Sequence, residues 1–459
     1  MLFSSIPFLY YFLPIVMILY FIVPKQLKNT VLLLSSLTFY AWGEPKYVIL
    51  MTASICIGYV SGILIEAFPR YRKAILIVSV MLCIISLGYF KYANFLLENF
   101  VVITGLSIPT LKITLPIGIS FYTFQIISYI VDVYRKDVPT QKNIINLAAY
   151  VAMFPQLIAG PIVRYVDVNQ ELTERTHSIE NFAIGTRRFI VGLSKKVLIA
   201  NSLGELCDTF MASNEKSILF YWLYAIAFSL HIYFDFSGYS DMAIGLGKIF
   251  GFNFLENFNY PFISKSITEF WRRWHMSLGS WFRDYVYIPL GGNRVSKSKH
   301  LRNIFIVWML TGFWHGASWN FIIWGLIFAV FLIIEKVWLL PHLNKAKMLN
   351  HFYVMIIVIF TFVIFNATDM TEAFEYIKSM CGIGNMPFSS SEFMYYMKSY
   401  FVTIVVAIIG ATPLPKSIAS KLPEKVTMVL EPIVLLILLT MITAYLVDGS
   451  FNPFLYFRF

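Results

Sequence analysis

Long runs of apolar residues, joined by short polar connections, constrain this chain more than any other feature of its sequence. They cover residues 6–23, 31–41, 47–65, 74–90, 113–133, 144–159, 218–234, 303–314, 319–340, 352–365, 401–411 and 426–447. Because 58% of the residues are hydrophobic and only 13% are charged, a water-soluble globule could not cover so much apolar surface. The sequence predicts an all-α polytopic membrane protein of about 10–12 membrane elements. The shorter runs are expected to form re-entrant or interfacial helices.

The distribution of positive charge predicts the orientation in the membrane. Residues 265–302 carry a net charge of +6, more than half of the chain's total of +11. Lys and Arg gather in cytoplasmic connections, so we expect this segment in the cytoplasm. Lys25 and Lys28 follow the first apolar run, whereas a cleavable signal peptide carries its positive charge before the run. We therefore expect a retained first helix and an N-terminus outside.

The polar segments are too short for a separate soluble domain. Residues 165–180 and 368–398 are among the largest, and a domain usually takes at least about 50 residues. We expect a single integral-membrane domain over residues 1–459. Within it, residues 182–201 mix apolar positions with basic ones such as Lys195 and Lys196, which is typical of a helix in the cytoplasmic interface.

His315 is a lone imidazole between long apolar runs, in the segment TGFWHGASWN of residues 311–320. A titratable side chain in apolar surroundings is costly and is by default a functional candidate. Neutral imidazole accepts a proton near neutral pH, so His315 could act as a general base. A hydrogen-bonded packing residue fits the same pattern. The flanking Gly312 and Gly316 could admit either a substrate or a neighbouring helix.

A second candidate segment, residues 267–294, reads ITEFWRRWHMSLGSWFRDYVYIPLGGNR. Its arginines Arg272, Arg273 and Arg283 suit phosphate groups. The alternative is an ordinary aromatic and basic belt at the membrane interface. We expect His275 on the cytoplasmic rim, where a donor entering from the cytoplasm would pass it before reacting at His315.

His231 and Asp235 lie four residues apart, on one face of the predicted helix. They could be two metal ligands, but no third ligand follows at usable spacing. We predict a buried hydrogen-bonded pair and no metal site. The sequence also lacks phosphate-binding, dinucleotide-binding and nucleophile-elbow motifs.

Several of these segments together resemble the membrane-bound O-acyltransferase (MBOAT) family, and within it the alginate O-acetylation protein I (AlgI)-like branch. The combination of WRRWH at 271–275, RDYVYIPLGGNR at 283–294 and FWHG at 313–316 is highly specific. The similar stretches are residues 115–136, 154–165, 192–201, 233–294 and 311–320, with the terminal FLYFRF at 454–459. Most of the resemblance lies in a core of about residues 115–324.

The resemblance implies an MBOAT-type helical bundle and an O-acyltransferase, most specifically an O-acetyltransferase of exopolysaccharide biosynthesis in the bacterial cytoplasmic membrane. It implies that His315 is catalytic and that His275 is a second functional histidine. Trp314, Gly316 and Asn320 are expected to shape the substrate pocket. The three arginines would hold the phosphates of the acyl donor.

The resemblance also implies the partners. The donor substrate would be acetyl-CoA in the cytoplasm, with no bound cofactor. The acetyl group would reach hydroxyls of an extracytoplasmic polysaccharide through a separate SGNH-type acetyltransferase. Membrane lipids surround the chain, and no nucleic acid is expected, because the positive-inside rule accounts for the basic charge.

Two other functions remain open at this level. One keeps acyl transfer but makes the cargo D-alanine, or a longer acyl chain, as in the D-alanyl transfer proteins that act on teichoic acids. The other is a flippase or transporter without chemistry, in which His231, Asp235 and His315 relay protons.

Overall fold

A computed structural model describes residues 1–448, and this part of the chain consists of helices and loops without a β-strand. The terminal FLYFRF segment at 454–459 lies outside the described residues. The α-helices are α1 Leu13–Ile22, α2 Lys28–Gly43, α3 Val48–Ala67, α4 Arg72–Leu87, α5 Ala93–Thr104, α6 Ile119–Arg135, α7 Ile144–Ala152, α8 Phe154–Leu157, α9 Tyr165–Val168, α10 Ile179–Ser194, α11 Asn201–Ala212, α12 Ile218–Ile249, α13 Ile267–Arg273, α14 Met276–Phe282, α15 Lys297–His315, α16 Trp319–Ile334, α17 Leu340–Leu343, α18 Leu349–Asn366, α19 Met370–Met380, α20 Ser391–Ser399, α21 Phe401–Gly410, α22 Leu414–Ala419 and α23 Glu424–Val447.

Short helical segments of other pitch extend or join these helices. Segments of wider, π-type pitch are Phe8–Phe12, Gly88–Tyr92, Lys195–Ala200, Arg283–Tyr287 and Glu335–Leu339. Segments of tighter, 3₁₀ pitch are Lys25–Leu27, Pro45–Tyr47 and Pro261–Ile263. Several therefore fuse neighbouring helices into one longer rod.

Six helices among residues 1–448 are long and apolar enough to cross a membrane. They are Pro45–Ala67, Arg72–Thr104, Ile218–Ile249, Trp319–Leu343, Leu349–Asn366 and Glu424–Val447. A seventh span arises if α20 and α21, bent by 56° at Tyr400, count as one. The predicted all-α polytopic class is confirmed. Other predicted runs form helices that are shorter, such as α2 and α7, or more polar, such as α15.

Two predicted runs are broken by the residues that end a helix. The run at 113–133 becomes helical only at Ile119, because Gly118 before it has a left-handed φ of 75°. The run at 144–159 ends its helix at Ala152, and Pro155 lies in the first turn of the next short helix, α8. Proline is tolerated in a first turn because that N–H has no helical partner. Both runs are therefore shorter than a bilayer.

The described chain divides into two compact units. Unit 1 comprises Met1–Phe189 and Met242–Leu255. In this unit α3 packs on α6 through two glycines. A methyl group on Gly62 would lie 2.5 Å from the hydroxyl oxygen of Tyr129, and one on Gly58 would lie 3.0 Å from Ile126. Removing side chains at these positions lets the two helices approach closely.

Unit 2 comprises Ile190–Asp241 and the described residues from Glu256 onward. Its central helix is α12, of whose most apolar stretch 78% is buried, compared with 6% for α23. Tyr224, Phe228 and Phe234 on α12 contribute to an aromatic-rich core. Within this unit α15 and α16 cross at Gly312 and Gly325, where any methyl group would overlap the backbone of the other helix. Gly312 is thus a helix contact.

The predicted interfacial helix at 182–201 is only partly correct. Helix α10 ends at Ser194, and the wider-pitch segment Lys195–Ala200 follows. Within unit 2, Lys195 forms an ion pair of 2.7 Å with Asp241, and Lys196 pairs with Asp235. The Lys196 side chain is only 3% exposed. A buried ammonium group requires a carboxylate partner, so at least this lysine serves the interior and does not face phospholipid headgroups.

Candidate active site

The short helix α13, which contains most of the WRRWH segment, is fixed at its N-terminus by two side chains. The hydroxyl of Ser266 accepts a hydrogen bond from the backbone N–H of Glu269. The carboxylate of Glu335, which is fully buried, accepts from the backbone N–H groups of Ile267 and Thr268 at 2.6 and 2.8 Å. A negative charge at a helix N-terminus is favourable because the first N–H groups lack helical partners.

His275 connects α13 to α14 in an unusual backbone conformation. Its φ and ψ are 46° and 51°, in the left-handed region that non-glycine residues seldom adopt. Such strain costs free energy and is retained where the surrounding structure enforces it, often at functional sites. The conformation turns the chain sharply, so that the imidazole points into unit 2. His275 is 1% exposed and is therefore buried within the protein, while its expected place on the cytoplasmic side stays a prediction.

A buried amide fixes the protonation of this imidazole. The side-chain oxygen of Asn257 accepts from the backbone N–H of Ser277 at 3.2 Å, which identifies it as the oxygen. The same atom lies 3.2 Å from Nδ1 of His275, so Nδ1 must carry a proton and donate it. Ser240 accepts from the other end of the amide at 3.0 Å. The free lone pair of a neutral His275 is therefore on Nε2.

His275 lines a cavity of about 400 Å³ within unit 2, and its Nε2 is buried. Within residues 1–448, nothing donates a hydrogen bond to this buried nitrogen. Burial lowers the pKa of His275 to about 3, so the ring stays neutral at physiological pH. The cavity is lined by Thr268, Trp271, Arg272, His275, Leu278, Gly279, Phe282, Arg283, Tyr287, Ile304, Val307, Trp308, Thr311, Leu332, Lys336 and Leu340. Its volume is within the range of small-molecule sites.

Trp271 is a second cavity-lining residue with an unpaired polar atom. Its indole Nε1 is buried, and no acceptor within the described chain receives its proton. The ring is held by edge-to-face contacts with Trp308 and Phe328, at centroid distances of 4.6 and 4.8 Å. Two residues of this cavity lining, Trp271 and His275, therefore each have a buried nitrogen without a hydrogen-bond partner in the described chain.

Basic side chains also reach this cavity. Arg272, Arg283 and Lys336 line it, and Arg283 forms an ion pair of 2.7 Å with Asp284. Arg273, the third arginine predicted to bind phosphate, is not among the lining residues. It pairs with Glu269 at 2.9 Å and donates to the backbone oxygen of Asn259. The structure thus groups two of the three predicted arginines with His275 and adds Lys336.

His315 ends α15 beside His275. The centroids of the two imidazole rings are 6.4 Å apart, and His315 is 3% exposed. Trp314, Trp324 and Phe365 surround its ring at 5.0, 5.1 and 5.3 Å. The sequence separation of 40 residues is thus closed by folding, and the two histidines share one aromatic environment.

The other predicted pocket residues occupy different positions around this pair. Trp314 lies beside both histidines, with its ring centroid 6.0 Å from that of His275 and 5.0 Å from that of His315. Gly316 ends α15, and a methyl group there would overlap the ring of Phe321. Asn320 donates to the backbone oxygen of Ala367 at 2.8 Å, which ties the start of α16 to the end of α18. Neither these three residues nor His315 belong to the cavity lining, which includes His275.

His231 and Asp235 are buried in unit 2 on α12. Nδ1 of His231 lies 2.7 Å from the backbone oxygen of Ala200, so it donates to that oxygen, while Asp235 pairs with Lys196. Across residues 1–448, no group of three His, Cys, Asp or Glu side chains has a metal-binding arrangement. The absence of a metal stays a prediction.

Sequence reasoning missed Asn257 and Glu335. Asn257 precedes its partner His275 by 18 residues in an irregular segment, and no local pattern links the two. Glu335 could have been found, because it is an acidic residue within the apolar run at 319–340, and such residues are expensive in a membrane. Both act by positioning the WRRWH segment.

Comparison of the sequence with known proteins identifies the family of this chain. The model of the membrane-bound O-acyltransferase (MBOAT) family matches residues 136–374, which include both histidines and the whole cavity lining. The protein named "Probable alginate O-acetylase AlgI" of Azotobacter vinelandii is 42% identical over 419 residues, covering 89% of this chain and 84% of the relative.

Two further relatives act on other acceptors, according to their names. The peptidoglycan O-acetyltransferase of Helicobacter pylori is 34% identical over 84% of this chain and 81% of its own length. The teichoic acid D-alanyltransferase of Bacillus subtilis is also 34% identical, but over 47% of this chain and 58% of its own length. The similarity to the two O-acetylating relatives thus extends much further along the chain.

Proposed function

Because this chain belongs to the membrane-bound O-acyltransferase family, and is thus a multi-pass bacterial membrane enzyme, we propose that it moves an acetyl group from a cytoplasmic thioester toward hydroxyls of an extracytoplasmic polysaccharide. The observation that carries the proposal is that one cavity is lined by both His275 and Trp271, whose Nε2 and Nε1 are buried without a hydrogen-bond partner in the described chain. Acetyl is the cargo because the relatives named as O-acetylating enzymes match over at least 84% of the chain.

The two unpaired nitrogens, Nε2 of His275 and Nε1 of Trp271, complement the hydrogen-bonding groups of the two reactants. A thioester has a carbonyl oxygen but no N–H or O–H group at its reacting carbon, so it can accept from Trp271 but cannot donate to His275. A hydroxyl can donate, and it is the reactant that satisfies Nε2 of His275. Unpaired buried polar atoms cost about 1–3 kcal/mol each, and binding both reactants would recover that cost.

The transfer step then follows from this arrangement. The hydroxyl proton, first donated to Nε2 of His275, turns about the C–O bond to His315, which accepts it as general base while the hydroxyl oxygen attacks the acyl carbon and the carbon–sulfur bond breaks. The thiolate leaves and takes up the proton as a thiol, so the products are an O-acetyl ester and the free thiol. His275 would orient the hydroxyl, and Trp271 would stabilise the negative charge that develops on the carbonyl oxygen.

The donor proposed here is acetyl-CoA. Arg272, Arg283 and Lys336 line the cavity and would attract the phosphates of CoA, for which arginine offers a planar fork of donors. The apolar cavity walls would accommodate the pantetheine arm and exclude water. No bound cofactor takes part in this scheme.

The cytoplasmic location of the donor has a direct test. We replace the four native cysteines and introduce one cysteine at Lys297, in the basic segment, and another at Gln26 as a matched position after the first helix. An impermeant thiol reagent added to intact cells should label neither, and it should label both after the membrane is opened. Labelling of the Lys297 position from outside intact cells would overturn this orientation.

A separate extracytoplasmic transferase of the SGNH type is the proposed partner. A long glycan would otherwise have to present each hydroxyl to a pair of histidines that are 1% and 3% exposed. The test is reconstitution in proteoliposomes, with acetyl-CoA on the cytoplasmic side and polysaccharide on the other. This protein alone should leave the polymer unacetylated, and efficient acetylation without a second protein would replace the relay by direct transfer.

A second candidate keeps the mechanism and changes the cargo to D-alanine, which the similarity to the teichoic acid D-alanyltransferase favours over 47% of the chain. Donor competition distinguishes the two. Labelled acetyl-CoA and a labelled D-alanyl thioester are offered together to purified protein. We expect label from acetyl-CoA only, and preferential use of the D-alanyl donor would establish the second candidate.

A further inference from the structure

A cluster of positive side chains lies in unit 1, in the part of the chain that the proposed reaction does not use. The hydroxyl of Tyr20 is its centre. Nε of Arg175 donates to this oxygen at 2.7 Å, and Nε2 of His177 lies 2.8 Å from it. The ammonium group of Lys28 lies over the Tyr20 ring, 4.6 Å from its centroid. Three basic residues thus converge on one phenol.

The guanidinium of Arg175 is only partly used by the protein. Its Nη1 donates to the side-chain oxygen of Asn29 at 2.7 Å and to the backbone oxygen of Glu171. Its Nη2 is buried and has no hydrogen-bond acceptor within the described residues. An unsatisfied guanidinium nitrogen is unusual, because an arginine head normally places its donors on acceptors or in water.

Negative charge is also missing from this cluster. Within residues 1–448, no carboxylate forms an ion pair with Lys28 or Arg175. The nearby carboxylate of Glu171 is instead engaged by the backbone and side-chain N–H groups of Asn253. The charges of Lys28 and Arg175, without an ion-paired carboxylate in the described chain, form a site of positive potential that favours an anion.

The potential is reflected in the titration of the cluster itself. Burial lowers the pKa of His177, and the positive charges of Lys28 and Arg175 lower it further. Burial and the charge of Arg175 lower the pKa of Lys28. The charge of Arg175 therefore opposes protonation of both Lys28 and His177, and a bound anion would relieve this repulsion.

An apolar groove of about 340 Å³ adjoins the cluster within the same unit. It is lined by Phe21, His177, Ser178, Ile179, Phe182 and Ile249. His177 belongs to both features, so the groove begins where the positive cluster ends. The exposed fractions of Phe21, Ile179 and Phe182 are 41%, 90% and 39%. An occupant with a negative head and an apolar tail would contact both surfaces.

We propose that this site binds an anionic phospholipid, with its phosphodiester on Lys28 and Arg175 and one acyl chain in the groove. Basic pockets between membrane helices bind anionic headgroups in this way. The phosphate oxygens would accept hydrogen bonds from the unpaired Nη2 of Arg175 and from the Lys28 ammonium. A free phosphate would satisfy the same donors but would leave the groove empty, which is why the lipid is the occupant.

The experiment measures which lipid stays with the protein. Full-length protein is placed in nanodiscs of phosphatidylcholine containing a minor fraction of phosphatidylglycerol, and bound lipid is counted by native mass spectrometry after release. Wild type should retain phosphatidylglycerol. Lys28→Gln should lower the retained amount about fivefold, as expected for one basic residue near anionic lipid, and Arg175→Gln should lower it further.

The matched control is Lys25→Gln, which removes the same charge three residues earlier from an exposed position. Equal loss in this control would reduce the effect to general surface charge and overturn the proposal. Lys28→Gln leaves every hydrogen bond of Arg175 in place, so it remains informative if Arg175→Gln does not fold.

A second arm distinguishes the lipid from free phosphate. Thermal unfolding is followed in phosphatidylcholine nanodiscs, with added inorganic phosphate in one series and with phosphatidylglycerol in the other. We expect stabilisation by phosphatidylglycerol that is lost in Lys28→Gln, and none by phosphate. Equal stabilisation by phosphate, with the same dependence on Lys28, would show that the ligand is a soluble anion and overturn the lipid assignment.

Discussion

Two buried polar clusters in unit 2 differ in the partners that their side chains have. At the first, Asp235 pairs with Lys196, and Nδ1 of His231 donates to a backbone oxygen. At the second, Asn257 accepts from Nδ1 of His275, a residue that lines a cavity and whose Nε2 has no hydrogen-bond partner in the described chain. Both contain titratable groups in an apolar setting, so burial alone does not identify the reactive one. The cavity does, because it leaves room for another molecule to complete the hydrogen bonding.

Substitutions in the two clusters should affect different properties, folding at the first and acetyl transfer at the second. The ion pair between Lys196 and Asp235 should matter for folding, since a buried charge without its partner is strongly destabilising. The histidine pair should matter for transfer and little for folding, since rings packed mainly by aromatic contacts can be replaced by a smaller polar side chain. Substitutions at each cluster can test this distinction between folding and transfer.

The largest expected effect is on the histidines. His315→Asn should lower acetyl transfer in purified membranes by about 10²- to 10⁴-fold, the usual contribution of a general base. His275→Asn should lower it strongly as well, with an increase in the KM for the acceptor, because Nε2 orients the hydroxyl. Rates and KM values are measured with labelled acetyl-CoA, and folding is checked by thermal unfolding.

The matched control for this pair is His342→Asn. His342 is exposed, and its Nδ1 lies 3.1 Å from the backbone oxygen of Trp338 one turn earlier. It should transfer acetyl at the wild-type rate. Retention of near wild-type transfer by both His315→Asn and His275→Asn would remove the distinction between the two clusters.

The next effect is on stability at the ion pair. Asp235→Ala should destabilise the protein by about 3–5 kcal/mol, because it leaves Lys196 charged and unpaired in the interior. The double variant Lys196→Met with Asp235→Leu removes both charges and should recover most of this loss. Yield of monodisperse protein and thermal unfolding measure both. If the single variant folds normally and loses only transfer, this cluster belongs to the reaction.

A smaller effect is expected at Asn257. Asn257→Leu removes the acceptor for Nδ1 and frees the imidazole to change tautomer. We expect transfer to fall by roughly 10- to 100-fold, the range for groups that orient a functional histidine from outside. Asn259→Leu changes an exposed amide two residues away and should leave transfer unchanged. Equal rates in the two variants would contradict the positioning role of Asn257.

Asn257→Asp sharpens the same test through pH. The wild-type His275 stays neutral well into the acid range, because burial lowers its pKa to about 3. A carboxylate at 257 still accepts from Nδ1, but its charge favours the protonated ring and raises that pKa. The acid limb of the pH profile should therefore move to higher pH, while transfer near neutral pH exceeds that of Asn257→Leu. An unmoved acid limb would show that His275 does not control it.

The smallest expected effect concerns the donor phosphates. Arg272→Gln should raise the KM for acetyl-CoA several-fold with little change in kcat, since a phosphate contact far from the reacting carbon supports binding in the ground and transition states alike. Arg294→Gln changes an exposed arginine that is not part of the cavity lining and should leave the KM unchanged. A similar KM increase in both variants would assign the effect to overall charge.

Local patterns predicted the parts of this molecule that depend on local physics. Apolar runs located α3, α16, α18 and α23 to within a few residues, because length and hydrophobicity determine a membrane span. The WRRWH and FWHG segments indicated both histidines. Breaks at Gly118 and Pro155 shortened two predicted spans, although both residues are visible in the sequence.

Contacts between distant segments could not be predicted in the same way. The cytoplasmic position expected for His275 followed from its basic neighbours, but the left-handed turn and the burial of this residue could not be predicted from them. Lys196 is in an apparently interfacial segment, yet its partner Asp235 lies on another helix. Asn257 acquires its role only when the chain brings it to His275. Each of these features depends on tertiary packing, which leaves no periodic pattern in the sequence.

The central claim is that His275 at this cavity and the neighbouring His315 transfer an acyl group, and the cleavage of acetyl-CoA in proteoliposomes tests it most directly. Thiol release is followed with and without a small hydroxyl acceptor, for wild type, His275→Asn and His315→Asn. We predict acceptor-dependent thiol release in wild type and a loss of at least about 10²-fold in each variant. Wild-type release by both histidine variants would contradict the account.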